Sequence, residues 1–122
     1  MRIQLAKSAG FCYGVRRAVE MAEKTALDGT PCMMLGDIIH NTDVVNRLST
    51  MGLSVARSPE EIPDGATVLI RSDGESRAVY DALRARGCVI LDATCPDVKK
   101  IHTIVRQSER RGRQPVIIGT PD

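Results

Sequence analysis

Apolar positions along this chain recur with two alternating periods, and the alternation sets out an order of elements. Arg2 to Ala6 alternates, with Ile3 and Leu5 on one face, and predicts a short first strand. Val15, Ala18, Val19, Ala22 and Ala26 then follow the spacing of one helix face, which Gly29 closes. Cys32 to Leu35 predicts a second strand, with Gly36 to Asn41 as its exit loop. Asn41 or Thr42 suits the cap of a second helix that turns Val44, Val45, Leu48 and Met51 inward and stops at Gly52. Leu53 to Ala56 predicts a third strand. Ser58-Pro59-Glu60-Glu61 reads as a capping box, which Pro63 limits to about one turn.

Thr67 to Arg71 predicts a fourth strand. Ser76 to Arg86 predicts a third full helix, with Ala78, Val79, Ala82 and Leu83 facing in. Cys88 to Leu91 predicts a fifth strand, and from Pro96 a fourth helix carries Val98, Ile101, Ile104 and Val105 before Gly112. Val116 to Ile118 predicts a sixth strand, and Gly119-Thr120-Pro121-Asp122 an exit turn past which the pattern calls for a continuation.

Strands alternating with helices, several of them continuous apolar runs such as Val68-Leu69-Ile70, imply an α/β fold. The expectation is a mostly parallel sheet covered by helices on both faces. Ligands of such sheets bind beyond the carboxyl ends of the strands. Cys12, His40, Asp73 and Cys95 all fall at that edge.

Composition narrows the chemistry. With 122 residues and 43% apolar content the chain can bury a core, but one Phe, two Tyr and no Trp leave that core to aliphatic side chains. The same scarcity argues against stacking platforms for single-stranded nucleic acid. A net charge of +2, with 17 basic and 15 acidic residues interspersed, implies neither a nucleic-acid nor a membrane surface. Arg106 to Arg113, the densest basic run, ends a predicted helix, where cations meet the negative end of the dipole. No apolar run approaches the roughly 20 residues of a membrane span, and no signal-peptide core opens the chain. A cytoplasmic protein is expected, in which four cysteines serve as ligands, redox groups or core fillers rather than disulfides.

Two of those cysteines sit at matching junctions. Cys12 lies in Ser8-Ala9-Gly10-Phe11-Cys12-Tyr13-Gly14-Val15, between the first predicted strand and helix. Cys95 lies in Leu91-Asp92-Ala93-Thr94-Cys95-Pro96, again where a strand meets a helix. The free N–H groups and positive dipole of a helix start favour a thiolate, and thiolates bind soft metals and iron-sulfur clusters. Neither cysteine has a C-x-x-C partner, and two thiolates are fewer than the three or four a cluster usually takes. Cys32 and Cys88 fall at strand starts, the far end of the sheet, and read as core packing. His40, ahead of Asn41 at a helix start, suits an anion such as phosphate, or else is an exposed loop histidine. His102 reads as a surface or packing residue within its helix.

With these residues laid out, the chain resembles the LytB family, also called IspH, the 4-hydroxy-3-methylbut-2-enyl diphosphate reductases of non-mevalonate isoprenoid synthesis. The resemblance is carried by Ala6-Lys7-Ser8-Ala9-Gly10-Phe11-Cys12-Tyr13-Gly14-Val15-Arg16-Arg17-Ala18, by Ile39-His40-Asn41, and by Asp92-Ala93-Thr94-Cys95-Pro96 with Val98-Lys99-Lys100 and His102. It implies a three-lobed fold, of which residues 1–95 would be the first lobe with its N-terminal strand and 96–122 the start of a second. It further implies a cubane 4Fe-4S cluster held by three cysteines, with Cys12 and Cys95 matching two of them, and one iron left open for substrate. His40 matches a histidine that holds the diphosphate. Reduction by two electrons from a donor such as ferredoxin or flavodoxin would expel the allylic hydroxyl as water.

Two departures bear on that implication. The family carries histidine facing the diphosphate where this chain has Asp73 within Arg71-Ser72-Asp73-Gly74-Glu75. A carboxylate charge about 4 Å from a phosphate charge is repelled by roughly 4 kcal/mol at an effective dielectric near 20. The family's later His-Pro-Glu segment, third cysteine and Ser/Asn diphosphate group are also not in this sequence, so the expectation is an amino-terminal portion, inactive alone. The alternative is a binding or interaction module that keeps the fold without catalysis, with Asp73 as its mark.

Overall fold

The computed structural model describes residues 1–116 and 118. Its elements run α1 (Tyr13–Leu27), β1 (Cys32–Leu35), α2 (Thr42–Thr50), β2 (Ser54–Ala56), a single 3-10 turn (Pro59–Glu61), β3 (Thr67–Ile70), α3 (Arg77–Ala85), β4 (Val89–Asp92) and α4 (Pro96–Arg110). Of the sixth strand expected at 116–118, Ile117 lies outside the described residues, as does the exit turn at 119–122, while Val116 and Ile118 are exposed and in no strand.

The four strands form one sheet in the order β2-β1-β3-β4, and every pairing is parallel. Parallel neighbours need crossovers, and helices α2 and α3 supply two of them. Helices α1 and α2 cover one face: Ala18, Val19, Ala22, Val44, Val45 and Leu48 pack with Cys32, Met34 and Leu69 of the strands. On the other face Leu83 of α3 and Ile62 pack with Leu35, Ala56, Val68 and Ile70. Strand residues of β3 are therefore buried on both sides, which is why Val68-Leu69-Ile70 reads as unbroken apolar sequence.

Local chemistry fixes the helix starts. The Asn41 side chain accepts from the Val44 N–H at 3.0 Å, and the Ser76 hydroxyl accepts from the Val79 N–H at 3.4 Å. Gly29 follows α1 at φ +67°, a conformation costly to any residue with a Cβ.

Three expectations are corrected. Arg2 to Ala6 forms no strand: Ile3 and Leu5 are 79% and 85% exposed, and no strand among the described residues pairs with the segment. Alternation makes a segment competent to pair, but a strand exists only where a neighbour takes its N–H and C=O groups. Cys12 therefore stands at a loop-to-helix junction. In α3 the inward face is Val79, Tyr80 and Leu83, with Ala78 and Ala82 exposed. The Tyr80 hydroxyl finds polar partners, so the ring can turn inward where an alanine face would leave a gap. Ser58 makes no side-chain cap, and Glu61 instead accepts from the Arg57 N–H at 2.9 Å. The turn is too short to hold a capping box; Arg86 secures it, donating to the Pro59 carbonyl at 2.7 Å and pairing with Asp64 at 2.6 Å.

Helix α4 stands apart. It has no buried residue, and Ile101 and Ile104 are more than half exposed.

Candidate functional site

The sheet order places three loops side by side. β1 exits toward His40, β3 toward Asp73 and β4 toward Cys95, and β3 lies between the other two. Backbone hydrogen bonds continue past the strand ends and tie these exits together. Ser72 N–H donates to Ile38 O at 3.1 Å, Ala93 N–H to Ile70 O at 3.1 Å, and Cys95 N–H to Ser72 O at 2.8 Å. The rim is thus a stitched surface rather than a set of free loops.

Cys95 is the N-cap residue of α4 and Cys12 that of α1. Cys95 packs against Gly14, in the first turn of α1 and two residues from Cys12. A Cβ placed on Gly14 would overlap the Cys95 sulfur and lie 2.9 Å from the Cys95 Cβ. Glycine is required there by close approach, not by backbone conformation. Arg17, one turn on, donates to the Thr94 carbonyl at 3.3 Å and joins α1 to the same loop. Cys12 is exposed and Cys95 half-buried. No disulfide links any of the four cysteines.

His40 and Asp73 meet directly: His40 Nε2 donates to Asp73 Oδ2 at 3.0 Å, with side chains 79% and 50% exposed. Ser72 Oγ donates to the other carboxylate oxygen at 3.3 Å. His40 also adjoins the start of α2, whose free N–H groups add anion-binding capacity. The Asp73 carboxylate occupies the imidazole N–H that an incoming anion would use. Gly74 packs against Thr94, where a Cβ would come within 3.0 Å of its side chain, and His102 lies beyond at 3.5 Å. The Asp73 loop therefore rests on the Cys95 loop.

Behind Cys95, Asp92 collects the Thr94 N–H at 3.0 Å, the Thr94 hydroxyl, the Tyr80 hydroxyl at 3.2 Å and the Lys99 ammonium at 2.7 Å. Burial disfavours its charge, but the hydrogen bonds from Lys99 and Thr94 outweigh that and hold its pKa below the usual carboxylate range. Burial, together with the Asp92 charge, pushes the Tyr80 hydroxyl the other way, against the hydrogen bond from Thr94. Sequence reasoning missed this network, as it missed the roles of Gly14, Arg17 and Gly74. Gly14 and Asp92 lay inside the quoted motifs, but nothing in local spacing shows what they touch.

Cys32 and Cys88 lie at the far end of the sheet, as expected. Cys32 is buried, and burial pushes its thiol up to about 11. Cys88 packs with the core under α3. A groove of about 670 Å³ runs between α1 and β4, lined by Met21, Lys24, Val89 and Leu91 among others; it reaches Arg17 and Asp92 but not the rim cysteines.

Two soft thiol donors at helix starts, with a glycine making room for one sulfur, fit two corners of an iron-sulfur cluster. Among the described residues no group of three or more His, Cys, Asp or Glu completes a metal site. No helix among them is long and apolar enough to cross a membrane.

Known proteins resemble this chain in sequence and in fold. A 4-hydroxy-3-methylbut-2-enyl diphosphate reductase of Thermoanaerobacter sp. (strain X514) is 41% identical over 98% of this chain, which spans 43% of that protein. The reductase of the same name from Aquifex aeolicus is 43% identical over 96% of the chain and 40% of its own length. The chain thus spans about two fifths of these relatives. Among solved structures, the E-1-hydroxy-2-methyl-but-2-enyl-4-diphosphate reductase of Plasmodium falciparum superposes with a TM-score of 0.81 at 29% identity, over 86% of this chain and 33% of that one. A second, described as (E)-4-hydroxy-3-methyl-but-2-enyl diphosphate reductase, the terminal enzyme of the non-mevalonate pathway, gives 0.75 at 44% identity, over 90% of this chain and 39% of its own. The family model described as LytB protein matches residues 3–122, and with the sequence relatives and the structural superpositions in agreement, the chain belongs to the LytB family.

Proposed function

We propose that this chain is the amino-terminal portion of a cytoplasmic iron-sulfur reductase acting on 4-hydroxy-3-methylbut-2-enyl diphosphate, and that it is inactive without further chain. Residues 1–95 are its first lobe and 96–122 open a second. The observation that carries this reading is the seating of the Cys95 sulfur against Gly14, two residues from Cys12. It supports a shared role for two thiols 83 residues apart in sequence (95 minus 12).

When bound, a 4Fe-4S cluster would pass on electrons one at a time from the external donor and offer a Lewis-acidic iron to an allylic hydroxyl. Overall, the substrate, two electrons and two protons give isopentenyl or dimethylallyl diphosphate and water, the electrons coming from ferredoxin or flavodoxin. Cys12 and Cys95 would hold two corners of the cluster from the starts of α1 and α4. His40 and the amides opening α2 receive the diphosphate. Asp73 must release His40 for that contact to form, or keep it and reject the anion.

The 3.0 Å His40–Asp73 contact also favours a second reading, a LytB-like binding or interaction module without catalysis. Reconstitution with iron and sulfide, without oxygen, separates the two. The first reading expects visible cluster absorbance only when the remaining portion of a longer family member is added, and its loss in Cys12→Ser. Unchanged iron content in that variant sinks it.

A further inference from the structure

Cys95 is held by its neighbours on both sides. Its N–H is bonded to Ser72, and the preceding Thr94, 2% exposed, is fixed at its carbonyl by Arg17 and at its N–H and hydroxyl by Asp92. Asp92 is itself held from two other elements, by Tyr80 of α3 and by Lys99, one turn into α4. The Tyr80 and Thr94 hydroxyls lie 3.2 Å apart, so each can give its proton to the carboxylate between them. One carboxylate thus joins α3, the β4 exit and α4 at the point where Cys95 leaves the sheet.

We propose that Asp92, with Tyr80 as its brace, is the positioning group for Cys95, fixing the Thr94–Cys95 turn so that the sulfur faces the start of α1, beside Cys12. The inference rests on the paired role of Cys12 and Cys95 proposed above. Lys99 stays on the carboxylate rather than on the sulfur, leaving Cys95 free to take a soft metal. A helix start alone would leave the turn able to pivot. The Asp92 contacts remove that freedom before any metal arrives, so the ordering cost is already met.

Cadmium ion binding to the intact chain, followed by sulfur-to-cadmium charge-transfer absorbance, tests this together with amide exchange at Cys95 and at Leu69 in the core. The wild-type signal is expected to require both thiols and to vanish in Cys12→Ser and in Cys95→Ser. A signal that survives either change overturns the paired reading, and this inference with it. Asp92→Asn should lower cadmium affinity about tenfold and lower Cys95 amide protection, with Leu69 protection unchanged. Tyr80→Phe leaves the carboxylate charge in place, and should still lower affinity about threefold, which attraction between charges would not explain. It also serves should Asp92→Asn lose the fold. Unchanged cadmium affinity in Tyr80→Phe, or in a folded Asp92→Asn, overturns the positioning role while leaving the paired reading intact.

Discussion

The sulfur of Cys95 rests against the backbone of Gly14, leaving no room for a side chain of even one carbon. The start of α1 and the start of α4 thereby share one surface, and each begins at a cysteine.

Gly14→Ala tests that contact by the sign of its effect. On helix propensity alone, alanine should stabilise by up to about 1 kcal/mol. Overlap with Cys95 should instead cost about 1–3 kcal/mol, since the neighbouring atoms cannot all retreat. Urea unfolding decides between them, and a more stable variant would show that Cys95 moves away freely.

Asp73→His should raise affinity for inorganic diphosphate by at least tenfold, by freeing the His40 N–H and removing a negative charge from its side. Titration calorimetry on the chain measures this. Thermal stability should barely change, because a polar contact this exposed contributes under about 1 kcal/mol. Equal affinity in both proteins would place Asp73 outside the anion pocket.

Stability should depend on pH through Asp92 and Tyr80 in opposite directions. The folded state holds the Asp92 pKa below its ordinary 3.8, so its contribution is present above that value and is lost as pH falls through the depressed one. The Tyr80 pKa is raised above its ordinary 10.0, so its contribution is complete below 10.0 and is lost as pH rises through the raised value. Urea midpoints measured across pH should therefore fall less steeply at the acid end in Asp92→Asn, and less steeply at the alkaline end in Tyr80→Phe.

Thiol reactivity should follow burial. With its thiol pushed up to about 11, Cys32 carries about one thiolate per thousand molecules at pH 8, and it is also shielded from reagent. Mass spectrometry after brief iodoacetamide treatment should find Cys12 modified first and Cys32 last. Early modification of Cys32 would mean that α1 does not close over β1.

Much of the fold was legible because its signals are local. Cys32 to Leu35 is a continuous apolar run bounded by turn residues, and it is the strand as observed. Asn41 and Ser76 cap because their side chains reach an N–H three residues on, whatever lies elsewhere. The misread segments depended on distant partners. Ile3 and Leu5 alternate without a neighbouring strand, and the turn of α3 follows from Tyr80 finding Asp92 and Thr94 across the interface. At the site, His40, Asp73 and Cys95 were placeable on one edge from the order of elements, whereas Cys12 follows no strand and only the packing of Gly14 on Cys95 brings its helix start to that edge. Gly14, Arg17, Gly74 and Tyr80 carried no local mark of what they touch.

Periodicity and capping residues alone determined that this chain alternates strands with helices and turns its chemical groups toward one rim. Only the tertiary structure decided which of those groups meet. The order β2-β1-β3-β4 sets the His40 exit beside the Asp73 exit, and the Asp73 exit beside the Cys95 exit. Residue spacing is blind to that order, because a crossover can deliver the next strand to either neighbouring position, and only the packing of α1 and α2 on one face and α3 on the other selects between them.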